Sequence, residues 1–331
     1  MTPSVLTLVA AAVTAFALCM YVVLDGFDLG VGALLLFPTD EAIRDRMVDA
    51  IEPTWDGNET WLILAGVSLF GAFPVAYGVL LPAFYLPIIL MLMALGCRGV
   101  SIEFRFQTDS WRGFWDKAFG VGSIVAALSQ GLILGGAIQG VAVTGHQFSG
   151  QVLDFLAPFP LLLALTTLLG YVCLGAAWLY LKGRSELQRF AAITLRVAAM
   201  LFGVAAFMSF AGAVTVQPRI LEVWARLGSW LVLLGVLFYG LLCTAVVRIG
   251  RSGDAWPFVY ASLAMLVLLV GLAVNVYPTV VPFRISLSDA SSESISQRFI
   301  VTGACVVIPV ILGYTILSYR VFKGKAQSWS A

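Results

Sequence analysis

Long apolar runs separated by short polar segments dominate the chain. An apolar run of about 20 residues is long enough to cross a bilayer as an α-helix. Nine such spans are predicted, near residues 5–37, 58–73, 75–98, 117–143, 155–181, 189–213, 224–248, 257–276 and 299–322. Residues 60–97 form one apolar run that is too long for one span, so we place a turn at Pro74 and expect Pro82 and Pro87 to kink the third helix. The pattern predicts an all-α polytopic membrane protein.

Composition supports a membrane protein. Of the 331 residues, 60% are hydrophobic and 11% are charged, whereas soluble domains carry roughly 25% charged residues. We predict a single integral membrane domain (1–331) made of two four-helix bundles (1–143 and 155–276) and a peripheral C-terminal helix (299–322).

An internal repeat is one open question of this organisation. The runs Leu24–Phe37 and Leu169–Lys182 are related in sequence and lie near the same ends of the first and fifth spans. A parallel repeat would explain this similarity. The glycine spacing differs by one residue between the two runs, so the sequence leaves the repeat undecided.

The basic residues indicate an orientation. With the N-terminus outside, the outer loops hold Arg219, Arg226, Arg284 and Arg298, and the inner side holds the other 15 of the 19 lysines and arginines. Cytoplasmic loops of membrane proteins are enriched in such residues. We therefore predict an outside N-terminus and a cytoplasmic C-terminus. Inner is only a label for the end of the molecule that carries Asp56 and the C-terminus, which this prediction assigns to the cytoplasm.

The first span carries two carboxyl groups, Asp25 and Asp28, on one helical face. A charge at bilayer depth costs roughly 2.5–3.5 kcal/mol even on lenient scales, and such residues usually serve a function. Proton or ion conduction is one interpretation, and a hydrogen-bonding device between helices is the other. Asp56 lies at the predicted inner start of the second span, where an N-cap role is also open, and Glu59 follows one turn later.

Histidine is nearly absent from the sequence. The one histidine, His146, is predicted in an outer loop, whereas membrane haem proteins use His, Met or Cys as axial ligands. Motifs of phosphate-binding loops, dinucleotide sites and zinc hydrolases are also missing. We therefore expect the chain either to transport something or to support a partner that carries the chemistry.

Several motifs follow one another along the chain: LDGFDLGVG (Leu24–Gly32), PTWDGNETW (Pro53–Trp61), and the stretches Phe84–Arg105, Tyr277–Ser292 and Tyr319–Lys325. In content and in order they resemble those of subunit II of cytochrome bd-type quinol oxidases. The short second half resembles the cyanide-insensitive branch of these oxidases.

The resemblance implies a partner. In this family, subunit I holds the haems, of type b and b or d, and the quinol site, and the complex reduces dioxygen to water with cytoplasmic protons. Acids matching Asp28 and Asp56 are associated with proton access, and Asp25 lies beside them. The family often has Gln where this chain has Glu59.

We therefore expect a haem-free subunit of a quinol:dioxygen oxidoreductase in the bacterial inner membrane, with Asp25, Asp28, Asp56 and Glu59 on a proton pathway. Trp55 and Arg98 are candidates for lining a structural quinone or lipid site near the inner leaflet. Further expected partners are small accessory membrane subunits and lipid, but no nucleic acid. The alternative is a secondary transporter or ion channel that uses Asp25 and Asp28 as its coupling site.

Overall fold

The computed structural model describes residues 3–108, 110–251 and 254–326, so residues 1, 2 and 327–331 of the predicted domain lie outside the described residues. The helices are α1 (Val5–Leu34), α2 (Glu41–Asp49), α3 (Trp55–Ala72), α4 (Pro74–Ala83), α5 (Tyr85–Gln107), α6 (Arg112–Gln139), α7 (Pro158–Lys182), α8 (Ser185–Val216), α9 (Arg219–Leu227), α10 (Ser229–Val247), α11 (Trp256–Val276), α12 (Leu287–Ala290) and α13 (Ser294–Val321). Two antiparallel hairpins pair β1 (Val143–Thr144) with β2 (Gln147–Phe148) and β3 (Thr279–Val281) with β4 (Ile285–Ser286), and a 3₁₀ turn covers Asp154–Leu156.

The prediction of an all-α polytopic membrane protein is confirmed. Within the described residues, eight helices are long and apolar enough to cross a membrane: α1, α5, α6, α7, α8, α10, α11 and α13. The 18-residue α3, whose first turns are more polar, corresponds to the remaining predicted span. Most predicted boundaries lie within a few residues of the helices that form.

The third span differs from its prediction. The chain leaves helical geometry at Phe84 (φ −121°, ψ 24°), so residues 75–98 do not form one kinked helix. Pro87 has no N–H to donate to the carbonyl of Ala83, and its ring would clash with that carbonyl in a continuous helix. One helix therefore ends at Ala83, and the next begins at Tyr85. The short α4 precedes the break, and the membrane-crossing helix is α5, which extends to Gln107. The turn predicted at Pro74 is present, because α3 ends at Ala72, Phe73 leaves helical geometry (φ −134°, ψ 61°), and Pro74 begins α4.

Helix α1 lies at the centre of the packing, in contact with α3, α6, α7 and α13. The closest approach is between α1 and α7, where the backbones of Gly30 and Gly175 meet and a Cβ on Gly30 would lie 1.8 Å from the carbonyl oxygen of Tyr171. Further packing joins α5 to α6, α6 to α7, α7 to α8 and α11, and α10 to α11, while α13 lies against α1 and α3. The two-bundle division at 1–143, 155–276 and 299–322 stays a prediction.

Helix α2 is attached to the inner ends of α5 and α6 by buried ion pairs. Arg105 donates to Asp45 and to Asp116, each at 2.6 Å, and Arg44 Nε lies 2.9 Å from Asp116 Oδ2. Charge-assisted hydrogen bonds of this kind fix geometry well. The segment between α1 and α3 is thus held against the membrane-crossing helices, and this positions the start of α3.

Candidate functional site

A buried ionic cluster joins α1, α3 and α5. Arg98 Nη1 donates to Asp25 Oδ1 at 2.6 Å, and Arg98 Nη2 donates to Glu59 Oε1. Asp25 and Arg98 are fully buried, whereas the Glu59 side chain is 25% exposed. A buried charge is tolerated when it is paired and hydrogen-bonded, so the one guanidinium explains how two acids persist at this depth.

Asp28 extends the cluster towards the inner surface. It is fully buried, and its Oδ2 accepts a hydrogen bond of 2.8 Å from Asn58 Nδ2. The same amide nitrogen lies 3.3 Å from the carbonyl oxygen of Leu24, and the Tyr319 hydroxyl donates to Asn58 Oδ1 at 3.2 Å. Asn58 therefore fixes Asp28 against α1 and connects it to α13.

The cluster has more acid than base. Asp28 lies within electrostatic range of Asp25, Glu59 and Arg98, so three carboxyl groups share one fixed positive charge. Asp25 Oδ2 and Asp28 Oδ1 are buried and accept no hydrogen bond from the described residues. A carboxyl group can both donate and accept protons. The carboxyl groups in excess of the one guanidinium are therefore suited to bind and release protons.

Asp56 lies outside the cluster. Its exposed side chain belongs to the first turn of α3, where a negative charge favours the helix, and the N-cap position is occupied by Thr54 instead. Asp56 lines an inner-surface cleft of about 610 Å³ together with Glu52 and Glu103. We call this the Asp56 cleft.

Trp55 separates the Asp56 cleft from the buried cluster. Its ring lines the cleft, and the guanidinium of Arg98 lies 5.8 Å from the ring centroid in a cation–π contact. The structure therefore places Trp55 and Arg98 together, but Arg98 is already engaged with two carboxylates. A quinone or lipid site at these residues stays a prediction.

A second inner cleft of about 540 Å³ lies beside the first and shares Glu52 and Pro53 with it. Burial, together with the negative charges of Glu52 and Asp45, raises the pKa of Asp49, which lines the second cleft, to about 6. Burial and the charge of Glu103 also raise the pKa of Glu52. Of these two groups, the Asp49 carboxyl group exchanges protons near neutral pH.

Sequence reasoning missed the partners of the predicted acids. Tyr319 reaches Asn58 from a helix 261 positions away in sequence, so no local pattern could indicate the contact. A second hydrogen-bonded set lies one turn from Asp25 towards the outer side: Tyr171 donates to Gln130 at 2.6 Å, and Gln130 donates to Tyr21 at 2.8 Å. The four-residue spacing of Tyr21 and Asp25 on α1 was the available signal for this set.

The single histidine is poorly placed for a haem. His146 is exposed in the turn between β1 and β2, at the opposite end of the molecule from the ionic cluster. This chain therefore offers no buried imidazole ligand. The residues present do not fit histidine ligation of a haem.

Membrane-crossing helices around an intramembrane cluster of acids define a polytopic membrane protein with an internal polar site. Residues 6–322 match the family of cytochrome bd terminal oxidase subunit II, and the chain belongs to this family. The resemblance in the sequence motifs is thereby confirmed, and membership favours an oxidase subunit over a transporter or channel.

Individual relatives agree with the family assignment. The chain is 30% identical to cytochrome bd-I ubiquinol oxidase subunit 2 of Escherichia coli, over 92% of this chain and 91% of that protein. It is 28% identical to cytochrome bd ubiquinol oxidase subunit 2 of Bacillus subtilis, over 92% of each chain. Its fold matches a chain of the bd oxidase from Geobacillus thermodenitrificans with a TM-score of 0.78 at 16% identity, covering 96% of this chain and 99% of that one.

Proposed function

We propose that this chain is the haem-free second subunit of a quinol:dioxygen oxidoreductase in the bacterial inner membrane. In this role it stabilises a haem-bearing subunit I and supplies it with cytoplasmic protons for the reduction of dioxygen to water. The observation that carries the proposal is the buried set of Asp25, Asp28 and Glu59 around Arg98. The chain's relatives are named as subunits of ubiquinol oxidases, so a quinol is the electron donor that we propose for the complex.

The relay would begin on the inner side. Asp56 and the acids near it attract protons at the Asp56 cleft, and Asp28 and Asp25 lie one turn apart on α1 within the membrane. Titratable acids inside a membrane protein often form proton relays. Water connects such groups where they are too far apart for direct hydrogen bonds.

The relay would leave through Glu59. Of the three clustered carboxyl groups, Glu59 alone is partly exposed. On the same face of α3 it is followed by the exposed side chains of Ile63, Val67 and Phe70. A carboxylate on an apolar helix face is costly against lipid, so this face suits a protein partner. We therefore propose that subunit I covers α3 and takes protons from Glu59.

We propose three further kinds of contact for the complex. Trp55, at the edge of the Asp56 cleft, is the residue best placed to touch a quinone ring or a lipid chain. Small accessory membrane subunits and lipid would occupy other apolar helix faces. The predicted orientation, with the N-terminus outside and the C-terminus cytoplasmic, belongs to the same proposal.

The test is oxygen uptake by the assembled complex, normalised to haem content. Asp28→Asn and Asp56→Asn keep the shape of each side chain and remove its titrating group. Both should slow turnover and leave haem content nearly unchanged, and Asp28→Asn should have the larger effect because Asp28 lies inside the cluster. Asp289→Asn, an exposed acid on the outer side, is the matched control and should turn over normally. Normal turnover together with poor assembly in Asp28→Asn would identify a purely structural role.

A further inference from the structure

The second inner cleft is closed on one side by the C-terminal segment that follows α13. Lys182 Nζ donates to the carbonyl oxygens of Phe322 at 2.5 Å and Gly324 at 3.3 Å, and the amide of Ala326 donates to the carbonyl oxygen of Lys182 at 2.9 Å. We call residues 322–326 the strap, and the adjoining cavity the strap cleft. These bonds fix the end of α13 against the end of α7.

A second lysine fixes the strap from its other side. Lys325 Nζ donates to the carbonyl oxygen of Leu181 at 2.7 Å and to Asp254 Oδ2 at 2.5 Å. Both lysines that line the strap cleft are thus engaged by oxygen atoms of the protein. The remaining titratable groups that line the cleft are Asp49, Glu52 and Tyr319.

Tyr319 connects the strap cleft to the buried cluster. Its ring packs edge-on against Trp178 at a centroid distance of 5.7 Å, and its hydroxyl donates to Asn58, which in turn donates to Asp28. Two hydrogen bonds, of 3.2 Å and 2.8 Å, therefore lead from Tyr319, which lines the strap cleft, to Asp28 in the buried cluster. In the Asp56 cleft, by contrast, the ring of Trp55 lies between the cleft and the guanidinium of Arg98.

We propose that the strap cleft is a second proton inlet and that Tyr319 is its positioning residue. This inference rests on the proposed function, because it supplies protons to Asp28. A proton passes from cytoplasmic water, by way of the Asp49 and Glu52 carboxyl groups, to water in the cleft and then to the Asp28 carboxylate, which becomes a carboxylic acid. Each O–H bond that forms on an acceptor is matched by one that breaks on its donor, and no electron is transferred. Tyr319 and Asn58 hold Asp28 and the neighbouring water in line for this transfer.

The charge of the cleft favours this role. The pKa of Asp49 lies near 6, so its carboxyl group accepts and releases protons readily at cytoplasmic pH. A proton donor or acceptor is most effective when its pKa is close to the working pH. Lys182 and Lys325 also line the cleft but bind other groups. Lys182 donates to the carbonyl oxygens of Phe322 and Gly324, and Lys325 donates to the carbonyl oxygen of Leu181 and to Asp254.

The test uses the assembled oxidase with Tyr319→Phe, alone and combined with Asp56→Asn. The single variant should lower haem-normalised oxygen uptake by about twofold, because one of two parallel inlets is lost. The double variant should lower it by about tenfold or more, as is usual when positioned proton transfer is lost. The solvent deuterium isotope effect should increase in both, a readout that a loss of packing alone would not move. Tyr239→Phe, which also loses one hydroxyl hydrogen bond, here to Gly203, is the matched control and should leave rate and isotope effect unchanged.

The outcomes separate this inference from the proposed function. If Asp28→Asn turns over normally, the proposed function fails. If Asp28→Asn is slow but the double variant matches Asp56→Asn alone in rate and isotope effect, only the strap inlet is refuted. Should Tyr319→Phe assemble poorly, Asp49→Asn at the cleft wall replaces it, and an unchanged rate for Asp49→Asn in the Asp56→Asn background overturns the inference.

Discussion

Arg98 is the residue on which the intramembrane site depends. Its guanidinium is fully buried and faces Asp25 directly, with Glu59 as its second partner. Removing one member of a buried ion pair costs about 3–5 kcal/mol, because the remaining charge stays buried without compensation. Loss of Arg98 would leave Asp25 and Glu59 without their common cation and should therefore destabilise the subunit.

Arg98→Met tests this expectation. We expect the variant complex to unfold at a lower temperature and to be recovered in lower yield. Adding Asp25→Asn and Glu59→Gln removes the uncompensated charges and should restore most of the lost thermal stability. The measurement is the thermal midpoint of the purified complex, and an Arg98→Met variant as stable as the native complex would contradict the ion-pair account.

At this scale the sequence predicted the acids but not their partners. Asp25 and Asp28 were recognisable because charges are rare at bilayer depth, and the structure brings both together with Glu59. Asp56 was expected at the inner mouth of the same route, and it lies exposed at a surface cleft, while its part in the route stays a prediction. Arg98 was considered only for a quinone or lipid site, since its pairing with Asp25, 73 positions away, depends on the packing of α5 against the rest of the bundle.

At the scale of elements, the contact between α1 and α7 leaves the least space for a side chain. A Cβ added to Gly30 would lie 1.8 Å from the carbonyl oxygen of Tyr171, and one added to Gly175 would lie 2.5 Å from the backbone of Gly30. Small residues allow such close approach in membranes, where dispersion contacts and weak hydrogen bonds drive helix association. Gly30 and Gly175 also hold equivalent positions in the two related runs, as expected if the runs are copies that pack against each other.

Gly30→Ala should therefore destabilise the subunit, since the clash is with backbone atoms that cannot rotate away. Gly235→Ala is the control, because Gly235 lies within α10 and has open space around its Cβ position. We expect the control to be neutral or slightly stabilising, by up to about 1 kcal/mol from helix propensity. Thermal midpoints of the two complexes decide the matter, and equal midpoints would mean that the close contact contributes little.

Element boundaries show where hydropathy stops being informative. Apolar windows predicted the spans because the bilayer requires continuous helices of a set length. They could not show that Pro87 divides the third span at Phe84, or that a short helix, α9, ends at Leu227 and is separated from α10 by Gly228 (φ 52°). The first break lies within a run of apolar side chains, and the second depends on the positive φ of a glycine. Proline and glycine were the available signals, and only the proline positions were considered.

At the scale of the whole molecule, hydrogen bonds between segments far apart in sequence hold helix ends together on two opposite sides of the structure. The strap joins α7 at one side, where Trp178 also donates to the carbonyl oxygen of Ala50. At the other side, Thr7 donates to Gln297, and Arg219 donates to the carbonyl oxygen of Phe283. An odd number of crossings, as the basic residues predicted, is needed for α1 to begin and α13 to end on opposite sides. Which side is cytoplasmic stays a prediction.

The remaining question at this scale is which apolar surface meets subunit I. Exposed apolar side chains occur on many helices, including Met93 and Val100 on α5 and Val232 on α10, so hydrophobicity alone does not choose between lipid and protein. Glu59 does distinguish the surfaces, because a partly exposed carboxylate is better accommodated by protein than by lipid. Since Glu59 pairs with Arg98 of α5, the covered surface should include the inner halves of α3 and α5. Obligate interfaces typically exceed about 2,000 Å², which is large enough to span both helices.

Native cysteines test this assignment without any substitution. Cys97 is exposed on α5 beside Arg98, whereas Cys243 is exposed on α10 and Cys305 on α13. All three thiols lie in apolar stretches of membrane-crossing helices, and their reactivities in the denatured protein give the reference against which native differences report coverage. In the intact complex, N-ethylmaleimide should modify Cys243 and Cys305 markedly faster than Cys97, as measured by mass spectrometry of peptides. After denaturation in dodecyl sulfate, all three should react alike. If Cys97 in the native complex reacts as fast as Cys243, then α5 faces lipid, and the proposed exit of protons through Glu59 to subunit I loses its support.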